Sequence, residues 1–172
     1  MIETERLRLC HWRDDHLEPF TEMHADTEVM ADLGGPYPTS ESKKKFDRFR
    51  QAESEYGIAR WAVEDRDGNF LGYSGVMPYM KTDLPLGQHY EIGWRFKRSA
   101  WGHGYASESA NAALSHALKE RGLAEVVAYT DAANYRSQAV MTRIGLIRKP
   151  ELDFTKTLKD GREYQGRVWA SS

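Results

Sequence analysis

The stretch Arg98-Ser99-Ala100-Trp101-Gly102-His103-Gly104-Tyr105 constrains the fold of this chain more than any other. Before it, at 89–96, Tyr90, Ile92, Trp94 and Phe96 alternate onto one face. After it, Ala106, Ala110, Ala113, Leu114, Ala117 and Leu118 form a helical stripe. Period two gives way to period 3.6, so a strand leaves a sheet here and a helix begins. A helix needs no glycine to start. Glycine clears side-chain bulk from the first helical amides, which lack intrahelical partners and carry partial positive charge. Lys97 and Arg98 add cations beside the same turn. The pattern predicts a pyrophosphate site at 102–106.

The rest of the chain supplies the frame. Arg6 to Trp12 alternates as a strand, and Asp14 and Asp15 favour a helix carrying Leu17, Phe20 and Met23. Residues 33–40 hold two glycines and two prolines and must be a loop. From Thr39 or Ser40 a very polar helix follows, with an apolar face of only Phe46 and Phe49. It is expected on the surface, with the lysines at 43–45 solvated. Residues 58–79 form two alternating runs joined at Asp67-Gly68-Asn69, a hairpin signal, so that with 89–96 they make a meander. Arg121-Gly122 closes the alanine-rich helix. Residues 125–131 read as a buried strand of the parallel kind, and 134–146 as a helix ended by Gly145. The tail turns at Asp160-Gly161 into a last hairpin. The order βααβββαβαββ is that of an α/β or α+β layer, in one domain over 1–172 without repeats or linkers.

A formal charge of −2 gives no sign of a nucleic-acid binder. Cys10 is the only cysteine, so no internal disulfide forms, and the histidines have no metal spacing. The opening residues lack a secretory h-region and nothing is long and apolar enough to span a membrane, so a cytoplasmic protein is expected.

Three readings of the glycine turn compete. The glycines could simply form a turn. The order strand, GxG, helix, strand, ending at Asp131, also suits a nicotinamide-type dinucleotide protein. Against this, Ser107 stands where a third glycine belongs, and five residues, Lys97 to Trp101, separate strand from turn. The third reading is resemblance. Trp101-Gly102-His103-Gly104-Tyr105-Ala106-Ser107-Glu108 after Glu91-Ile92-Gly93-Trp94 resembles the acetyl-CoA motif of the GNAT superfamily of N-acetyltransferases. With the opening Thr4-Glu5-Arg6-Leu7-Arg8-Leu9 and the pair Asn134 and Ser137, it is most similar to the RimJ/RimL-type branch, over roughly residues 2 to 169.

The resemblance implies a central mixed, mostly antiparallel sheet flanked by helices, with a splay between strands 89–96 and 125–130. It implies acetyl-CoA as cosubstrate, no metal, and direct transfer to an amine acceptor, either a protein N-terminus or a small molecule. A homodimer is compatible with it. Backbone groups of Trp94 and Phe96 would pair with the pantetheine arm, and Asn134 would lie near it. The amides of Gly102, His103, Gly104, Tyr105 and Ala106 would hold the pyrophosphate. Arg98 sits one residue before the family's usual cation position, which is Ser99 here. The backbone N–H near Trp94 is the candidate oxyanion donor.

Glu91 leaves the apolar face of its strand and is the expected general base, ahead of Asp131 and Glu151. Asn134, Ser137, Met141 and Ile144 share a helix face, where Ser137 would orient the thioester or protonate the thiolate. Met141 occupies the position of a tyrosine acid found in many relatives. A domain of this type that binds acyl-CoA without turning it over is the alternative. Trp12, Trp61 and Trp169 are expected in the core or its rim, with Trp12 or Tyr37 as possible acceptor-pocket walls.

Overall fold

The computed structural model describes residues 1–158 and 160–172. Its strands are β1 (Ile2–Glu3), β2 (Leu7–Cys10), β3 (Arg60–Asp65), β4 (Phe70–Tyr79), β5 (His89–Phe96), β6 (Val127–Asp131), β7 (Ile147–Arg148), β8 (Phe154–Thr157) and β9 (Glu163–Ala170). The helices are α1 (Leu17–Ala25), α2 (Thr39–Tyr56), α3 (Tyr105–Ser115) and α4 (Tyr135–Arg143). All nine strands join one sheet in the order β1-β2-β3-β4-β5-β6-β9-β7, with β8 also paired to β9. Every pairing is antiparallel except β5 with β6.

Local chemistry accounts for the main elements. The β3–β4 hairpin closes where the Asp65 carboxylate accepts from the amides of Asp67 and Asn69, at 3.0 and 2.8 Å. Behind α3 the chain makes a π-helical turn, His116–Glu120, which continues the predicted stripe. Ala110, Ala113 and Ala117 are fully buried, and such small residues let the helix lie close on the sheet. The two-residue strands β1 and β7 carry no sequence signal of their own and exist through pairing with β2 and β9. The strand expected at 125–131 begins at Val127. It runs antiparallel to β9 over five residue pairs and touches β5 in parallel at a single one, so it is less a parallel strand than the sequence suggests.

Alternation along β5 gives the sheet two different faces. Ile92 and Phe96 point to the side of α3 and α4, in a core with Leu7, Leu9, Val63 and Val76. The opposite face is covered by α1 and α2 over an aromatic cluster of Trp12, Phe20, Phe46, Phe49 and Tyr73. Trp12 belongs to this core and not to a pocket wall; its indole donates to the carbonyl of Arg60 at 2.7 Å. Trp61 and Trp169 are buried on the other side.

Helix α2 departs from a purely surface helix, because it buries Ser42, Phe46, Phe49 and Ala52. Lys43 and Lys44 are exposed, whereas Lys45 is half-buried. It shares the inward stripe with Ser42, Phe49 and Ala52 at spacings of three and four residues, and its ammonium lies 5.5 Å from the centre of the Tyr73 ring.

Above that cluster His24 is wholly buried, stacked at 5.7 Å on Tyr37, with Nδ1 bonded to the carbonyl of Phe20 at 2.8 Å. Burial, helped by the Lys45 charge, pulls its pKa from 6.5 to about 3. The unfolded chain therefore takes up a proton below pH 6.5 that the folded chain refuses until about pH 3. Stability falls across that window as the solution is acidified. Replacing His24 by Phe should flatten this part of the stability–pH curve in urea titrations, and an unchanged slope relative to the parent would remove His24 as its cause.

Candidate active site

The site begins where β5 and β6 part. Glu91 and Val127 are the single bridge between them, so the β6-facing edge of β5 beyond Glu91 is open. Which backbone groups face that gap follows from the β4 register. Phe96 lies opposite Gly72, and the amide of Lys97 donates to Leu71 at 2.9 Å, making 71 and 97 a hydrogen-bonded pair. Antiparallel pairs alternate, so Trp94 and Phe96 aim their N–H and C=O groups away from β4 into the gap. The Phe96 carbonyl already accepts from the Trp101 indole at 3.0 Å, which leaves its N–H. Trp94 keeps both groups.

The glycine turn stands at the end of the same strand. Gly102 and Gly104 both have φ of +81°, a left-handed conformation that other residues rarely adopt. A β-carbon at Gly102 would meet no protein atom within 4 Å, so the turn faces open space. Gly104 is the N-cap of α3 and supplies no side-chain cap. Among the described residues nothing accepts from the N–H groups of Gly102, His103, Gly104, Tyr105, Ala106 or Ser107; the first helical bond is from Glu108 to Gly104 at 3.1 Å. Six successive amides and a helix dipole thus point outward together, which is an anion cradle.

The opening strand braces this cradle. Glu108, in the first turn of α3, accepts from the Thr4 hydroxyl at 2.6 Å and from the backbone and guanidinium of Arg6 at 2.9 and 2.7 Å. Burial alone would push the Glu108 carboxyl up, but these donors outweigh it and hold its pKa below the ordinary value. Arg6 also donates to the His103 carbonyl at 2.9 Å and covers the Tyr105 ring. The His103 ring stacks on Tyr105 and lies exposed.

Charge near the cradle differs from the sequence expectation. Arg98 is engaged by Glu28 at 2.7 Å and Asp26 at 3.6 Å, so its guanidinium is not free beside the glycines. Arg136 lies over the Trp101 ring at 4.7 Å and Arg143 donates to Ser107 at 3.3 Å. These two, seven residues apart on α4, bring cations to the turn; their shared helix face was the legible signal.

Two polar bridges span the splay. In one, Glu91 Oε1 meets the Arg60 guanidinium and Oε2 accepts from the Tyr129 hydroxyl at 3.0 Å. Gly93 makes room for Arg60, since a β-carbon there would sit 2.6 Å from the guanidinium carbon. Burial first, and Glu91 second, raise the Tyr129 pKa, so the phenol stays protonated. In the other, Arg95 pairs with Asp32 at 2.9 and 3.1 Å, and Asp32 accepts from Asn134 at 3.3 Å. Asn134 also caps α4 by accepting from the Ser137 amide at 3.1 Å. No described residue takes the Ser137 hydroxyl.

A cavity of about 470 Å³ passes through this gap. Ile92, Trp94, Ser137 and Met141 line it from one face of the sheet, and Tyr73, Glu91, Gly93 and Arg95 from the other. Asp131 is used up in holding the amides of Ala133 and Gln165, and Glu151 is exposed and does not line the cavity. Tyr37 lines a smaller neighbouring hollow. On the far side of β3, Cys10, His16 and Glu64 bring ligand atoms within 4.8 Å of one another. Arg13 already fills that spot, bound to Glu64 at 2.6 Å and 3.9 Å from the Cys10 sulfur.

A sheet opened at one parallel junction, with bare amides at the adjoining helix start, defines a fold that offers an anion cradle beside a free strand edge. The family profile for the acetyltransferase (GNAT) domain matches residues 6–147, and the chain belongs to that family. It is 32% identical over 147 residues to the uncharacterized protein YkkB of Bacillus subtilis, covering 84% of each chain. It is 32% identical over 151 residues to the FsC-acetyl coenzyme A-N(2)-transacetylase of Aspergillus fumigatus, covering 84% of this chain and 64% of that one. The fold matches spermidine N-acetyltransferase from Vibrio cholerae, solved with CoA and spermine, with a TM-score of 0.76 at 15% identity. That match covers 97% of this chain and 95% of the other. An antiparallel meander of this family excludes the doubly wound dinucleotide fold.

The brace can be tested apart from any ligand. Glu108→Ala should cost about 1–3 kcal/mol of stability by stranding charge-assisted donors. It should also speed hydrogen exchange in the first hydrogen-bonded turn of α3, from residue 108 on; unchanged exchange there would show that Thr4 and Arg6 do not hold the cradle.

Proposed function

We propose that this protein transfers the acetyl group of acetyl-CoA to a primary amine by direct attack in a ternary complex. The observation that carries the reading is the six unpartnered amides from Gly102 to Ser107, beside the open edge of Trp94 and Phe96. Among the described residues no helix is long and apolar enough to cross a membrane; a cytoplasmic site of action is part of the proposal. The opening Thr4-Glu5-Arg6-Leu7 and the Asn134–Ser137 pair support the RimJ/RimL-type branch.

The diphosphate sits on the amides of Gly102, His103, Gly104, Tyr105 and Ala106, with Arg136 and Arg143 as its countercharges. Arg98 joins them only by giving up Glu28. The free edge of β5 at Trp94 and Phe96 pairs with the pantetheine amides as an added strand would. When bound, acetyl-CoA supplies the thioester, at the level of the cavity lined by Trp94 and Ser137. Asn134 holds the start of α4, and so Ser137, beside it.

Three tasks fall to the chain. Glu91 receives the proton of the acceptor amine. Its oxygens have already accepted from Arg60 and Tyr129, but a carboxylate offers about four lone-pair sites, so two remain for the amine or an intervening water. The Trp94 N–H donates to the oxyanion that develops on the carbonyl, an interaction worth about 10²–10³-fold. As nitrogen bonds to carbon and the carbon–sulfur bond breaks, Ser137 passes a proton to the departing sulfur and recovers one from water.

Thioester consumption against a panel of amines, read as free thiol, tests the reading. Glu91→Gln should lower kcat by about 10²-fold or more while coenzyme A affinity is kept. Ser137→Ala should lower kcat more than it changes KM for acetyl-CoA. Coenzyme A bound tightly with no thiol released from any amine would identify a sensor instead, and full activity in both variants would remove these residues from the mechanism.

A further inference from the structure

The acetyl-transfer reading leaves the acceptor open, and the charges of the cleft bear on it. Although the chain carries a net charge of −2, six cationic and three carboxylate side chains line the cavity. Two cations are neutralised within the fold, Arg60 by Glu91 and Arg95 by Asp32. Lys45, Arg48 and Lys156 form no ion pair within 4 Å among the described residues, although Glu91 is felt by Arg48, and Glu91 and Asp83 by Lys156. Lys45 donates to the Tyr73 hydroxyl, all three lie against aromatic rings, and burial lowers the pKa of each, so their charge is held at a cost that a bound anion would relieve. Lys45 lies 5.4 Å from the centre of Tyr37 and 5.9 Å from Phe49, Arg48 lies 5.8 Å from Phe49, and Lys156 lies 4.7 Å from Tyr164.

The crowding is energetically telling. Lys45, Arg48 and Arg60 all approach the one Phe49 ring to within 6 Å, so three positive groups converge while only Arg60 has an anion. Arg60 and Arg95 each also keep a buried Nε with no hydrogen-bond partner among the described residues. Cation–ring contacts offset little of the cost of gathering like charges away from water. The Tyr73 phenol registers the same field. Burial raises its pKa, yet Lys45, Arg95 and Arg60 bring it down to about 8. A site with this surplus is completed by an anion, and it rejects a second cation.

We propose that the acceptor is a small primary amine bearing a carboxylate, of the amino-acid type. Its carboxylate docks on Lys45 and Arg48 at the α2 wall while its amine faces Glu91. The proposal rests on the acetyl-transfer reading and narrows its substrate class. A cavity of about 470 Å³ suits a small molecule. Polyamines, which the spermidine N-acetyltransferase of the same fold is named for, carry the wrong charge for these walls.

The test uses the whole chain with acetyl-CoA and three acceptors of matched length: an ω-amino carboxylate, the alkylamine without a second ionisable group and the diamine. The amino carboxylate should have a kcat/KM at least about tenfold above both others. Lys45→Met and Arg48→Gln should each cut that preference by about tenfold, mainly through KM for the acceptor, with coenzyme A affinity held. Arg48 is exposed, so its variant keeps the test sound even if the variant of half-buried Lys45 folds poorly. The double reversal Lys45→Glu with Arg48→Glu should turn the preference toward the diamine. Diamine or spermine as the best substrate of the parent protein, or equal losses with all three amines, would overturn the proposal and leave acetyl transfer standing. Saturable coenzyme A binding without turnover of any amine would overturn acetyl transfer itself. In that case calorimetry with the amino carboxylate on the coenzyme A-loaded protein decides the subsite: binding weakened by Arg48→Gln supports it, and no binding ends it.

Discussion

The structure depends on how little β5 and β6 hold each other. One parallel bridge at Glu91 and Val127 keeps the sheet continuous, and beyond it the strands diverge. Had pairing continued, the backbone of Trp94 and Phe96 would be consumed in a ladder and no cavity would cross the sheet. Divergence leaves polar backbone in the interior, where unpaired groups are costly. The protein meets that cost partly with side chains. Arg60, Glu91 and Tyr129 tie the strands at the narrow end, and Arg95, Asp32 and Asn134 tie β5 to the start of α4 further along. The rest is left for a ligand that can add a strand edge.

The same economy governs the helix starts. The N-terminus of α4 is satisfied internally by the Asn134 side chain, whereas that of α3 is not satisfied at all. The contrast shows which of the two has its first amides left open. Keeping bare amides in place needs stiffness elsewhere, and the clasp of Glu108 by Thr4 and Arg6 supplies it from the other end of the chain. The opening strand therefore stiffens the start of α3. Electrostatics divide along the sheet in the same way, with the cradle and two α4 arginines on one face and the unpaired cations of α2 and β8 on the other.

Much of this was legible in the sequence. The alternation from His89 to Phe96 sets β5 to the residue. The stripe of alanines sets the start of α3, whose α-helix ends at Ser115 with a π-helical turn to Glu120 where the stripe reads as one helix to Arg121. The glycine pair located the cradle for the same reason that it forms it, since both positions need a positive φ. What escaped was whatever depends on pairs distant in the chain. Lys45 reads as the third lysine of a solvated run, and only its spacing from Phe49 and Ala52 betrays that it turns inward. Asp32, in a glycine-rich segment, gives no hint that it meets Arg95 and Asn134. Arg60 and Tyr129 look like ordinary strand residues until β3, β5 and β6 are laid side by side. Arg98 was read from proximity to the glycines, and two acidic residues of the α1–α2 connection draw it off.

The central claim is that coenzyme A lies with its diphosphate on the amides of Gly102 to Ala106. Amide chemical shifts of isotope-labelled protein, followed through a coenzyme A titration, test it most directly. The account predicts large, saturable shifts at these five amides and at Trp94. Saturable binding that leaves the amides of Gly102 to Ala106 unmoved while other resonances shift would contradict it.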